Sequence, residues 1–377
     1  MMDRRHFLSR AVQSLAIVAA MLRGRPVQAA PAQSRFLSAC LGRGDTAISP
    51  GGFEAAVLDA QGQVIAQAAL AMRAHEIAVH PGKALALAVG RQPGRHSTLI
   101  DLRSGQALHD LDLAADHEFN GHAVFLGDGT ELVATEEHVT TSIGRLSFYE
   151  TATGRWLRAW SSQGIEPHEA IVDATRHRLI VANGGILQRH AVGDVESSLV
   201  ALDLTTGQVI SKATLPEDLT SLSMRHIALA SNGTVAFAMQ DQDPQSDLRP
   251  LVGLMNRVGQ LHFLDIPQDI ATTLRGYVGS IAIDAASRVV CATSPKGSVA
   301  MFWDLATGAW LGHLAIADGC GIAPTDLPGD FMLTGGKGDI LKVSTLDRNG
   351  GLAAPRATTL ARDPQWQWDN HLTLVKA

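Results

Sequence analysis

"LVALDLTTGQVISKA" (residues 199–213) decides how this chain is read. An apolar run leads into a turn that holds Asp203 and Gly207, and apolar positions resume at Val209. Period-two patterning on both sides of a glycine-containing turn is a β-hairpin. The same design returns as "AAVLDAQGQVIAQ" (55–67), "TLIDLRSGQALHD" (98–110), "LSFYETATGRWLRAW" (146–160) and "AMFWDLATGAWLGHL" (300–314). "GQLHFLDIP" (259–267) and "GDILKVSTLDRNGG" (338–351) read as degenerate copies.

A second strand pair precedes these hairpins. It is read in "IAVHPGKALALAVG" (77–90), "AVFLGDGTELVATE" (123–136), "AIVDATRHRLIVAN" (170–183), "IALASNGTVAFAM" (227–239) and "IAIDAASRVVCAT" (281–293). Four strands recurring roughly every 40–60 residues specify a β-propeller, one four-stranded blade per repeat. The first hairpin has a single strand before it, "RFLSACL" (35–41), and the chain ends on a single strand, "HLTLVKA" (371–377). Pairing the two completes a blade and removes an exposed sheet edge. The expected fold is all-β: one seven-bladed propeller over residues 31–377, closed by the C-terminal strand.

Composition agrees. Of 377 residues, 46% are hydrophobic, 18% are charged and 36 are Gly, which suits a large turn-rich β core. The first 30 residues are set apart as an export signal: a basic start, a short apolar stretch (15–22), and a small-residue end. That stretch is too short to span a membrane. "DRRHFLS" (3–9) resembles a twin-arginine signal, with Arg4 and Arg5 as the pair, so the expected location is periplasmic. The net charge is −6, and −10 without residues 1–29, which carry five Arg and one Asp. A negative surface argues against nucleic acid or anionic lipid as partner. Cys40, Cys291 and Cys320 are too few and scattered for a disulfide framework. "LSAC" (37–40) looks like a lipoprotein box, but polar "PAQSR" precedes it, and Cys40 is read as a strand residue.

Aligning the innermost strands by the turn that follows them brings out a series. One position holds His75, His122, His168, His226, Gly279, Cys320 and His371 in successive blades. Inner strands surround the central channel, so equivalent positions form a ring. Neutral imidazole suits iron, copper, zinc or nickel, and thiolate adds a softer ligand. The ring lacks the oxygen ligands that calcium prefers. Glu76 and Glu169 each follow a ring histidine and are candidates to orient an imidazole or to ligate. The expected metal set is therefore His75, His122, His168, His226, His371, Cys320, Glu76 and Glu169. A seven-membered ring is wide, so two or three neighbours, such as His75, His122 and His168, are favoured to share one ion; haem would bridge a wider gap. The competing reading is structural, with each histidine tying its blade to the next through a backbone carbonyl. Arg73 and Arg225 lie near ring histidines, to hold an anion or to pair. The other histidines, His80 among them, are read as surface residues. The loops at 184–198 and 239–250 are read as solvated. No nucleophile elbow, H-E-x-x-H or phosphate loop occurs. "HEIAVH" (75–80) spaces its histidines five apart on a strand and is no zinc-protease motif.

The twin-arginine start, "HEIAVHP" (75–81), "GHAVF" (121–125), "EPHE" (166–169) and "WDNHL" (368–372) together resemble the bacterial family catalogued as domain of unknown function 1513. The resemblance covers the mature chain. It implies a periplasmic seven-bladed propeller, often encoded beside imelysin-like proteins linked to iron uptake, and carries no established activity. The leading expectation is a non-catalytic, periplasmic metal-handling propeller for iron, copper or haem, serving an iron-uptake or redox system. A protein-interaction scaffold is the second reading, and an oxidoreductase with a channel metal the third.

Overall fold

The repeated turn sequence has a physical cause. Asp101 Oδ1 accepts the amides of Arg103 (2.7 Å) and Ser104 (3.3 Å), and Asp203 Oδ1 accepts those of Thr205 (3.0 Å) and Thr206 (2.8 Å). The glycine four residues on takes positive φ: +69° at Gly105, +71° at Gly207, +73° at Gly308. A left-handed glycine after such a turn makes a one-residue bulge. The third and fourth strands accordingly shift register at Leu99/Ile100, Ala201/Leu202 and Phe302/Trp303.

These hairpins assemble, in a computed structural model, into seven four-stranded antiparallel sheets among the described residues, which are 34–42, 51–187, 195–243 and 248–375. This is a seven-bladed β-propeller. The first blade runs, from the channel outward, Gln367–Val375, Arg35–Leu41, Phe53–Leu58 and Val64–Ala69. Arg35 pairs with Val375 and Ser38 with Leu372, so the C-terminal strand closes the ring as the sequence predicts. The inner strands of blades two to seven are Ala74–Val79, His117–Leu126, Pro167–Asp173, Leu222–Leu229, Ser280–Ile283 and Gly319–Pro324.

Burial explains why inner and outer strands read differently. Second strands lie between neighbouring blades, so both faces are covered and the sequence is unbroken apolar: Leu179, Ile180, Val181 and Ala182 are all fully buried. The outer strand Val209–Thr214 faces solvent along most of its length. Core packing crosses blade boundaries: Leu37 and Val57 of the first blade pack with Ile77, Ala88 and Ile100 of the second. One six-residue helix, Gln268–Thr273, follows the fifth blade, too short to leave a periodic pattern in the sequence. Among the described residues no helix is long and apolar enough to cross a membrane. The export-signal reading of residues 1–30 lies outside the described residues, as do 188–194 and 244–247 of the two solvated loops. Cys40 lies buried in its strand.

Candidate functional site

The inner strands are not regular where the ring residues sit. Their pairing shifts between Ala74 and Glu76, Phe119 and Ala123, Pro167 and Glu169, Met224 and His226, and Gly319 and Ile322. In the first blade, Asp369–Asn370–His371 stands opposite Ala39. A bulge leaves a residue out of the ladder and re-aims its side chain. The sixth blade pairs regularly from Ser280, and a side chain at Gly279 would strike Pro295 and Tyr277.

Five imidazoles meet in the hub as a result. Ring centroids lie 4.9 Å apart for His75–His122, 4.8 Å for His122–His168, 4.8 Å for His168–His226, and 4.6 Å for His371 with each of His75, His122 and His226. All five residues are at most 9% exposed. The ligand atoms of His75, His122, His226 and His371 lie within 4.8 Å of one another, and those of Glu76, His122 and Glu169 form a second such group. His75 and His371 bring their Nε2 atoms to 3.3 Å. The favoured trio of neighbours, His75, His122 and His168, is thus replaced by a quartet that passes over His168. Cys320 joins neither group. Its sulfur turns towards Asp318 at 3.8 Å, and burial followed by the Asp318 carboxylate pushes its thiol well above the ordinary range.

What stands behind each Nδ1 separates the rings. Glu76 Oε2 is 3.0 Å from His122 Nδ1 and accepts the amide of Ala123 at 3.3 Å. Glu169 is placed similarly in the next blade pair, with Oε2 accepting the amide of Ile227 at 2.9 Å, but it stops 3.5 Å from His226 Nδ1, which has no hydrogen-bond partner among the described residues. His168 is the opposite case, because the Arg225 guanidinium lies 3.1 Å from its Nδ1 while pairing with Glu166 at 2.9 Å. Guanidinium only donates, so that Nδ1 accepts and the ring proton of neutral His168 sits on Nε2. Behind carboxylate-backed His122 the Nδ1–H donates, which leaves Nε2 facing the hub. His75 stands between these cases, with Arg91 Nη1 at 3.5 Å and Asp369 Oδ1 at 3.8 Å from Nδ1. The buried Nε2 atoms of His122 and His168 have no hydrogen-bond partner among the described residues.

Protonation sets His122 apart from the other four rings. Burial first, then neighbouring rings and Arg91, holds His75 well below the usual imidazole value. Burial and then Arg225 do so for His168; burial, then His371 and His122, for His226; burial, then His122, for His371. Burial would lower His122 too, but Glu76 and Glu169 outweigh it and raise it. Glu169 itself is raised by burial, with His122 opposing and Glu76 adding to the rise. Four rings are therefore held in the neutral form that ligates metals.

The carbonyl tie expected of a structural histidine is made by other side chains. Thr135 Oγ1 donates to the carbonyls of His122 (3.2 Å) and His168 (2.9 Å), and Thr293 Oγ1 to that of Cys320 (2.7 Å). Arg73 and Arg225 are both paired, Arg73 with Asp369 at 2.7 Å. His80 is a correction: it is buried, its Nδ1 accepts the amides of Gly82 and Lys83 at 3.0 Å each, and its ring packs on Phe125. Asp369, Glu166 and Arg91 were not singled out from sequence. Glu166 and Asp369 each lie two residues before a ring histidine, but Glu166 precedes its strand at φ +50° and Asp369 sits in a bulge, so strand alternation does not place them. Arg73, Arg91, Asp369, Asp318 and Cys320 line a cavity of about 400 Å³.

Solved structures share this architecture. Hydrazine synthase of Kuenenia stuttgartiensis superposes with a TM-score of 0.61 at 11% identity, covering 83% of this chain and 91% of that one. A chain of the mitotic checkpoint complex gives 0.53 at 13% identity over 78% and 80%. The computationally designed Ika8 protein gives 0.54 at 12% identity over 88% and 96%. At these identities the likeness is one of fold alone. No curated protein matches the chain in sequence. The family described as "Protein of unknown function (DUF1513)" matches over residues 68–375, a span that includes every hub histidine and both glutamates, and the chain belongs to that family.

Proposed function

We propose that this protein is a periplasmic metal-handling propeller that holds one transition-metal ion, iron or copper, in its hub. The twin-arginine reading of Arg4 and Arg5 supports the location. His75, His122, His226 and His371 are the ligands. The observation that carries the reading is the convergence of their four ligand atoms within 4.8 Å of one another in a buried site. Tetrahedral nitrogens at bonds of ~2.0–2.1 Å lie about 3.3–3.4 Å apart, so the His75–His371 pair is already at a ligand edge and the others close by up to about 1.5 Å. A carboxylate behind a metal-bound imidazole sets the tautomer and raises basicity, the role of Glu76 at His122 here, while Glu169 stands 3.5 Å from His226 Nδ1. Leaving buried polar nitrogens unpaired costs about 1–3 kcal/mol each, and a bound ion offsets that cost at His122 Nε2. Five rings with centroids at 4.6–6.0 Å leave no gap of porphyrin width, so the reading keeps a single ion and drops haem. An iron-uptake or redox protein of the same compartment is the proposed partner.

The test is metal content after loading with copper(II) or iron(II) and removal of excess. One equivalent per chain is expected, falling below a tenth in the His122→Ala, His226→Ala double variant. Substoichiometric metal in the wild type, or undiminished metal in the double variant, overturns the reading.

A further inference from the structure

His168 is left over by the ligand quartet, yet it is the ring whose chemistry is most tightly specified. Its Nδ1 accepts from Arg225 at 3.1 Å, Arg225 is held by Glu166 at 2.9 Å, and its main-chain carbonyl accepts from Thr135 at 2.9 Å. Its Nε2 carries the proton and has no acceptor among the described residues, although the residue is 4% exposed. The ring lies 4.8 Å, centroid to centroid, from both His122 and His226 and 5.6 Å from His75. A fully prepared donor beside four ligating nitrogens has one chemical use that a fifth ligand would not need. We propose that His168 donates a hydrogen bond from Nε2 to a small anion of one to three atoms bound on the hub metal, such as hydroxide.

The proposal rests on the metal reading above and adds a fifth ligand, the anion, to the four imidazoles. The Arg225 guanidinium prevents His168 from presenting a lone pair at Nε2 while its own proton stays on the ring, so His168 recognises the metal's ligand rather than the metal. The close spacing of the rings restricts that ligand to small anions. Hydrogen bonds to charged acceptors are the stronger kind, and desolvation strengthens them further.

Copper(II)-loaded protein titrated with azide, followed by the azide-to-copper absorption band, tests this. Copper content is measured first, so loss of the metal reading shows separately as absent copper and overturns both proposals. His168→Gln keeps an amide oxygen to accept from Arg225 and an amide NH₂ to point inward; azide affinity within about threefold of wild type is expected. His168→Leu keeps volume and removes the donor; azide affinity is expected to fall about ten- to a hundred-fold with copper retained. Equal affinity in the Leu variant, or copper lost from it while it stays folded by circular dichroism, overturns the assignment. Pulsed electron paramagnetic resonance of the wild type needs no variant. Four coordinated imidazoles support the proposal, and five make His168 a ligand and end it.

Discussion

His122 and His168 occupy the same register of adjacent blades, both buried, both on a bulge, and their backbones are tied by the same Thr135 hydroxyl. They differ in what faces Nδ1. Glu76 of the preceding blade reaches forward to His122, whereas Arg225 of the following blade reaches back to His168. Carboxylate and guanidinium impose opposite tautomers on one ring type, and so opposite chemistry on the channel side. Duplication can copy a histidine into every blade, but the residue behind the ring decides whether a copy offers a lone pair or a proton. Glu169 approaches His226 from the same side as Glu76 does His122, but at 3.5 Å against 3.0 Å and without raising the ring.

Acid breaks the comparison most severely. His75, His168, His226 and His371 have folded pKa values well below the unfolded value, so the unfolded chain binds more protons as pH falls below about 6.5. Their stabilising effect is present above that pH and is lost as pH drops towards the folded values. The slope approaches about 1.4 kcal/mol per pH unit for each ring. His122 has the opposite sign: raised by its carboxylates, its contribution is complete below about 6.5 and fades as pH rises through the folded value. Urea melts between pH 8 and 4 should show a steep net loss on the acid side. Ring-proton NMR should show His122 protonating at a higher pH than His168; the reverse order would end the comparison.

Next in size is Arg225→Met. It leaves Glu166 buried without its cation, and removing one partner of a buried ion pair costs about 3–5 kcal/mol. A melting temperature unchanged from wild type would mean that Arg225 holds nothing in place. Glu76→Gln probes the other arm. The amide oxygen still accepts from His122 Nδ1, so the fold is expected to hold, while the lost charge reduces metal affinity about ten- to a hundred-fold. Competition against a chelator of known affinity measures it. A larger loss of affinity from Arg225→Met than from Glu76→Gln, in protein that remains folded, would reverse the assigned roles.

The blade architecture was legible because it is written in local chemistry that repeats. Asp203 and Gly207 state a turn, Leu179–Ile180–Val181–Ala182 state a strand covered on both faces, and the missing strand before residue 55 states the closure. The histidine register was legible for the same reason, since a ring of equivalent positions follows from the repeat. The selection among its members was not. It depends on bulges, which leave no period in the sequence, and on reach between blades. Glu76 meets a histidine 46 residues on, and Arg225 one 57 residues back. Cys320 shared the register but not the orientation, because its bulge turns the thiol to Asp318. His80 read as surface because a turn histidine usually is; its two amide acceptances come from a main-chain loop that sequence patterning does not resolve.

The smallest effect tests what the two histidines share. Thr135→Val preserves shape and removes the hydroxyl that donates to the carbonyls of both His122 and His168. One bifurcated neutral hydrogen bond is lost, for an expected cost of about 1 kcal/mol in a urea melt. Because both backbones are tied through one group, the variant disturbs the two positions alike and leaves Glu76 and Arg225 in place. Metal stoichiometry should stay at one, and metal affinity should change less than in Glu76→Gln. A drop in affinity larger than that of Glu76→Gln would locate the selectivity in where the backbone puts the rings, and the distinction between carboxylate-backed and guanidinium-backed histidines would lose its explanatory role.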